Sequence, residues 1–190
     1  MLKFLQYILK IRFLYDKISI QKKEKKVKNF SHPSRQKAGE IMCKAAEVGK
    51  IVVNKCLSKD ISIYTQKLQK LLVLMQVECI RRSAKPLFKE DIRIWDCGVA
   101  IKEVDDEFYN FAEGFICPLE EFITLLDAEE ESVNYILDKY GSMDAFELND
   151  LPDNQRVKAL GVKQETTCVP HVSYQILIGA FSDDTDRFCP

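Results

Sequence analysis

The side chains best equipped for chemistry are thinly spread along the chain. Cys168 and His171 make a C-x-x-H pair, which is half of a zinc-like spacing. A closed zinc site needs about four ligands, and only Cys189 stands near them in sequence, so no metal site is expected. Seven cysteines, at 43, 56, 79, 97, 117, 168 and 189, form no C-x-x-C pair and are odd in number. Several fall on apolar helical faces, so they are expected to be reduced core residues rather than a disulfide framework. Nothing local places His32 or His171 to activate a cysteine nucleophile. Adjacent carboxylates recur at Asp105/Asp106, Glu120/Glu121 and Glu129 to Glu131. They lie at helix starts and on acidic helical faces, where the helix dipole and solvation account for them. No phosphate-binding glycine loop, Walker pattern or dinucleotide fingerprint is present. The expectation is a chain that is not an enzyme and uses no cofactor, metal or small-molecule substrate.

The stretch that must position everything else runs from Thr65 to Arg81. Leu68, Leu71, Leu72, Met75 and Cys79 fall on one helical stripe, and Val73, Leu74 and Val77 widen it until the helix is apolar on most sides. Such a helix belongs at the centre of a core. Gln66, Lys67, Gln69, Lys70 and Gln76 are left for a thin polar side, and Thr65 or Ser62 suits the N-cap.

Composition frames that centre. The 190 residues are 46% hydrophobic and 30% charged, as in a soluble globular protein of one domain with extensions. Residues 1–41 carry eleven Lys/Arg against three Asp/Glu, whereas residues 42–190 carry 17 against 26, so the two parts differ in kind. Residues 1–15 read as a basic amphipathic helix, too short and too charged to span a membrane. Residues 21–28, QKKEKKVK, read as a solvated linker without the aromatic interleaving of a nucleic-acid site. Residues 1–41 are thus expected to be a basic amphipathic extension outside the folded domain, and Met42 is a conceivable start of translation. Neither a nucleic-acid nor a membrane partner is expected, and the location expected is the cytoplasm.

From about residue 40 to 57, Ala45, Val48, Val52, Val53 and Cys56 predict a helix. Pro86 ends the helical pattern of the central stretch, and a short, partly extended segment with Leu87, Phe88, Ile92, Ile94 and Trp95 leads to a turn at Gly98. A helix is predicted from about Ala100 to Phe111 on Val104, Phe108 and Phe111, with an acidic side at Glu103 and Asp105 to Glu107. Pro118 opens another pattern with Leu119, Phe122, Ile123 and Leu126. Carboxylates from Asp127 start a further helix on Val133, Ile136, Leu137 and Tyr140, and a short acidic helix with Ala145, Phe146, Leu148 and Leu151 runs up to Pro152. Residues 172–181, VSYQILIGAF, are β-prone, and the polar end after them is expected to be loose. The fold expected is mainly α: a compact multi-helix domain over 42–160 around one buried helix, with short extended segments and a β-prone C-terminal tail over 161–190.

Three elements in fixed order carry a resemblance: KLQKLL at 67–72, KPLF at 85–88 and IWDCG at 94–98, followed by Val104 and Phe108 in V-x-x-x-F spacing. They resemble the Panacea domain, the SocA-like antitoxin family, whose pattern is K-L-Q-K-L-L-Y, then G-K-P-L-F, then A-W-x-x-G-P-V before a V-x-x-x-F helix. Residues 131–151 are similar to that family's later helix, turn and short helix. The chain departs from the pattern with Val73 for Tyr, Ala84 for Gly and Val99 for Pro, and no His or Trp comes directly after Leu151. The resemblance covers about residues 42–160. It implies a mostly helical module that binds a protein: an antitoxin that neutralises a cognate toxin, with one branch acting as an adaptor to a protease. A phage or mobile-element protein of the same fold that binds a host defence or regulatory protein is the alternative.

The candidate partner contacts are Gln69 and Lys70 on the shared helix, Trp95 and Gly98 at the turn, and Glu103 and Asp106 on the acidic side. For Gln69 and Lys70 a merely solvated face fits equally well. Trp95, the only tryptophan, suits a core anchor above the central helix better than an exposed hot spot. Gly98 suits a turn that a side chain would disturb. An acidic surface over 103–107 and 127–150 matches a basic partner, and charge matching of that sort speeds encounter more than it sets affinity.

Overall fold

The structure, a computed structural model, describes residues 42–109, 119, 123–162 and 169–187. The chain falls into two units, 1–40 and 41–190. The first, with the basic extension, lies outside the described residues, all of which belong to the second.

Helix α1 (Ala45–Ser58) buries Ala45, Val48, Ile51, Val52, Val53 and Cys56. Helix α2 (Thr65–Ser83) comes next. Its N-cap is Tyr64, which makes no side-chain capping bond, so neither Thr65 nor Ser62 has the capping role expected. Ala84 ends the helix in the left-handed region at φ 53°, donating its amide to Ile80 O. Strands β1 (Ile92–Trp95) and β2 (Gly98–Ile101) form an antiparallel hairpin, with Ile94 opposite Val99 and Trp95 opposite Gly98. Helix α3 (Lys102–Phe108) starts directly from β2, so the helix expected from Ala100 gives its first two residues to the strand.

Helix α4 (Asp127–Tyr140) begins where Glu129 accepts the Leu126 amide at 2.9 Å. The helical pattern expected from Pro118 falls mostly outside the described residues, and residues 123–126 are not helical. Helix α5 (Ala145–Asn149) carries a reciprocal cap, in which Asp144 accepts the Phe146 and Glu147 amides and Glu147 accepts that of Asp144. Helix α6 (Pro152–Val162) has proline at its first position, where no amide is needed. Strand β3 (His171–Val172) extends the sheet in the order β2-β1-β3. Helix α7 (Tyr174–Phe181) and a 3-10 turn over Ser182–Arg187 complete the described chain. Mainly helical with one small antiparallel sheet is therefore the class.

The β-prone reading of 172–181 is overturned, since only Val172 of that run is in a strand. Leu177 and Phe181, four residues apart, make a helical stripe and are almost fully buried. Burying that stripe outweighs the weak strand preference of Tyr, Ile and Val, a preference that itself depends on context. Nor is the end beyond it loose throughout. Arg81 pairs with Asp153 at 2.5–2.7 Å and lies 3.4 Å from Asp184, Arg156 binds Asp184 at 2.8 Å, and both guanidiniums stand over the Phe181 ring. Val172, Leu177 and Phe181 share one hydrophobic cluster with α2, so the domain boundary expected at 160 does not separate these residues from the core.

Helix α2 is buried along most of its length, including its polar residues Lys67, Gln69, Lys70, Gln76 and Glu78. The reason lies in the irregular backbone around it. Gln69 accepts the Ile101 amide at 2.8 Å and donates to Ile101 O at 3.2 Å, while Lys70 donates to Val99 O at 2.7 Å. These bonds occupy the outer edge of β2, which would otherwise present unpaired backbone groups. Two helical turns later, Gln76 accepts the Leu87 and Phe88 amides at 2.8 and 3.1 Å and donates to Phe88 O at 2.9 Å. Lys67 donates to Gly141 O at 2.7 Å, at the end of α4. A buried amide or carbonyl left without a partner costs about 1–3 kcal/mol, so this polar row is what permits segments without regular pairing to pack against an apolar rod.

Candidate partner-binding surface

The six residues singled out in the sequence separate sharply. Gln69 and Lys70 are 2% and 5% exposed and bound to β2, so they are corrected from candidate contacts to internal supports. Burial lowers the Lys70 pKa below its usual value, and it does the same at Lys67. Trp95 is corrected in the opposite direction. At 43% exposure it is no core anchor, because Ile92 and Ile94 point to the interior and strand alternation sends Arg93 and Trp95 outward. Gly98 holds φ +113°, and a Cβ there would fall 2.0 Å from Asn149 Oδ1 of α5, so the turn and α5 meet at a spot that only glycine fits. Glu103 and Asp106 are exposed on α3, with Asp106 paired to Lys102 one turn before it.

The acidic surface is less uniform than its sequence. Lysines of α1 and of its C-cap neutralise much of it: Lys50 binds Glu107 at 2.7 Å, Lys55 binds Glu130 at 2.7 Å, and Lys59 pairs with Asp138. The Glu107 carboxylate raises the Lys50 pKa above its ordinary value, the burial of the amine opposing it. Arg82 bonds Glu78 at 2.6 Å and stands 3.9 Å from Glu131. In contrast, residues 141–152 contain Asp144, Glu147 and Asp150 and no Lys or Arg.

Sequence reasoning missed Phe146. It is one of the apolar residues of the short acidic helix before Pro152, and it is 81% exposed. The signal was present, since Ala145 and Leu148 form the i, i+3 stripe and Phe146 lies off it. Cys97 is a second correction: Cys43, Cys56 and Cys79 are buried as expected, but Cys97 in the hairpin turn is exposed. Burial pushes the Cys56 and Cys79 thiols up to about 11, which leaves them poor nucleophiles at neutral pH. Cys168, Cys189 and His32 lie outside the described residues, so the C-x-x-H pair is seen only through His171, 4.0 Å from Asp91. Among the described residues, no cluster of His, Cys, Asp and Glu has the form of a metal site.

An open recess of about 530 Å³ lies beside the sheet, lined by Lys89, Asp91, Arg93, Glu103, Val169 and His171. The charges among its described lining residues are mixed. No described helix is long and apolar enough to cross a membrane. Compared with family models, with curated proteins and with solved structures, the chain matches none.

Proposed function

We propose that the chain is an antitoxin-like module that neutralises a partner toxin by direct protein contact, built around α2 as its organising helix and acting in the cytoplasm. One observation supports this reading above the others. The separated elements that resemble the Panacea pattern are joined in space by the polar row of α2: Gln69 and Lys70 hold the strand after IWDCG, and Gln76 holds the backbone of Leu87 and Phe88 in KPLF. Val104 and Phe108 of the V-x-x-x-F spacing are buried in the same cluster. That coherence is what supports the reading. The exposed carboxylates of α3, α4 and α5 give that unit an acidic surface suited to a basic partner.

Co-expression of the full chain with the product of the adjacent gene, followed by pull-down and growth measurement, tests the proposal. Recovery of both proteins together with restored growth is expected. Recovery of no partner, with no rescue of growth, overturns the antitoxin assignment. Recovery of a host defence or regulatory protein in its place supports the mobile-element alternative.

A further inference from the structure

The proposed protein-binding role leaves open which part of the acidic surface makes the contact. Two large side chains are exposed on neighbouring elements, Trp95 at the hairpin turn and Phe146 on α5. The link between those elements is Asn149, one helical turn after Phe146 and on the same side of α5, whose side-chain oxygen sits against Gly98. Both elements are also anchored on α2 one turn apart. Lys70 holds Val99 just past the turn, and Lys67 holds Gly141 just before α5. Asp96 follows Trp95 and Glu147 follows Phe146 in the chain, Asp150 comes one helical turn after Phe146, and all three are exposed. Among the described residues, Glu147 bonds to the start of its own helix, and Asp96 and Asp150 make no ion pair. The acids of α4 differ, because Lys55 of α1 and Lys59 just after it neutralise two of them.

We infer that the hairpin turn and α5 form the docking surface, and that its occupant is a cationic amphipathic segment of a partner protein. An apolar side chain of that segment covers Trp95 and Phe146 while Lys or Arg meets Asp96 and Asp150. Exposed aromatic anchors beside a majority of carboxylates, with Arg93 of β1 on the same face as Trp95, fit such a segment better than an acidic one. This deepens the protein-binding proposal and rests on it.

Trp95, being the only tryptophan, reports directly on the surface. The full chain is titrated with a synthetic helical peptide of leucine and lysine, and in parallel with its leucine and glutamate counterpart. The cationic peptide is expected to shift Trp95 emission to the blue in a saturable way that weakens at least several-fold in high salt, and the acidic peptide is expected to do nothing. Phe146→Asp and the pair Asp96→Asn/Asp150→Lys each weaken the response at least tenfold, while Asp183→Lys, exposed on the 3-10 turn outside the acidic helices, leaves it unchanged. An unshifted emission at saturating peptide, equal responses to both peptides, or full response in the Phe146→Asp chain overturns the inference. So does a blue shift that grows with protein concentration alone, which marks a second copy as the occupant. If the co-expressed partner is still captured by Phe146→Asp, this surface fails while the protein-binding proposal stands.

Discussion

The polar row of α2 and the hairpin–α5 surface are inversions of one another. Lys67, Gln69, Lys70 and Gln76 are hydrophilic residues in the interior, whereas Trp95 and Phe146 are large apolar residues outside it. The difference shows that hydropathy is not what assigned these positions. A residue goes inside when the backbone packed against it needs its hydrogen bonds, and it stays outside when its element has already buried another face. Inside, polarity serves satisfaction of the backbone. Outside, apolar area is available for something not in the chain's own core.

The largest expected break in that comparison is Gln76→Leu. It keeps the volume but leaves the Leu87 and Phe88 amides and Phe88 O unpaired. With about 1–3 kcal/mol for each unsatisfied group, chemical denaturation is expected to show a loss of at least about 3 kcal/mol, and a loss below about 1 would mean that water replaces the amide. Gly98→Ala comes next, at about 2–3 kcal/mol from the positive φ and the crowding by Asn149. Adding Asn149→Ala is expected to restore only the crowding part, which a thermal melt of the double variant resolves.

A smaller effect of opposite sign is expected at Ala84, in left-handed backbone at φ 53°. Ala84→Gly is expected to stabilise by about 1 kcal/mol, since glycine adopts that conformation without the Cβ penalty. A decrease in denaturation midpoint would refute the strain.

Lys70→Met sharpens the comparison through pH. Burial puts the folded pKa of Lys70 below 10.5, so between that lowered value and 10.5 the folded chain holds fewer protons than the unfolded one. Raising the pH through this window therefore favours folding. Methionine cannot contribute this, so the stability of the native chain relative to Lys70→Met is expected to climb as the pH rises through that window toward 10.5. A flat difference would mean that Lys70 is solvated. The smallest effect is that of Phe146→Ala, expected to change stability by no more than about 0.5 kcal/mol because its ring is exposed.

Legibility in the sequence divides along the same line. The stripe of Leu68, Leu71, Leu72, Met75 and Cys79 announces α2 because helical periodicity is local information, and these residues are indeed buried. The carboxylates at the start of α4 and the glycine of the hairpin turn were readable for the same reason, whereas Pro152, expected only to end the short acidic helix, opens α6. The burial of Gln69 and Lys70 was not, because their partners lie 29 to 36 residues away and nothing local reveals that β2 would bring an open edge to them. The helix at 174–181 was hidden likewise: its stripe of Leu177 and Phe181 is short, and only the meeting with α2 decides against extended backbone. Of the candidate contacts, Trp95, Glu103 and Asp106 remain accessible, whereas the chief addition, Phe146, required noticing which residue its helix could not bury.

The clasp of Arg81 by Asp153 and Asp184, with Phe181 beneath it, bears on how the protein is made. The chain leaves the ribosome from its amino end, and the middle helix is synthesised about a hundred residues before Asp184 emerges to close over it. Until then its apolar flank stays open, so the interval of synthesis is the period of greatest vulnerability to aggregation and proteolysis. A nascent chain arrested before Val172 should be cleared by proteases far faster than one arrested downstream of the clasp.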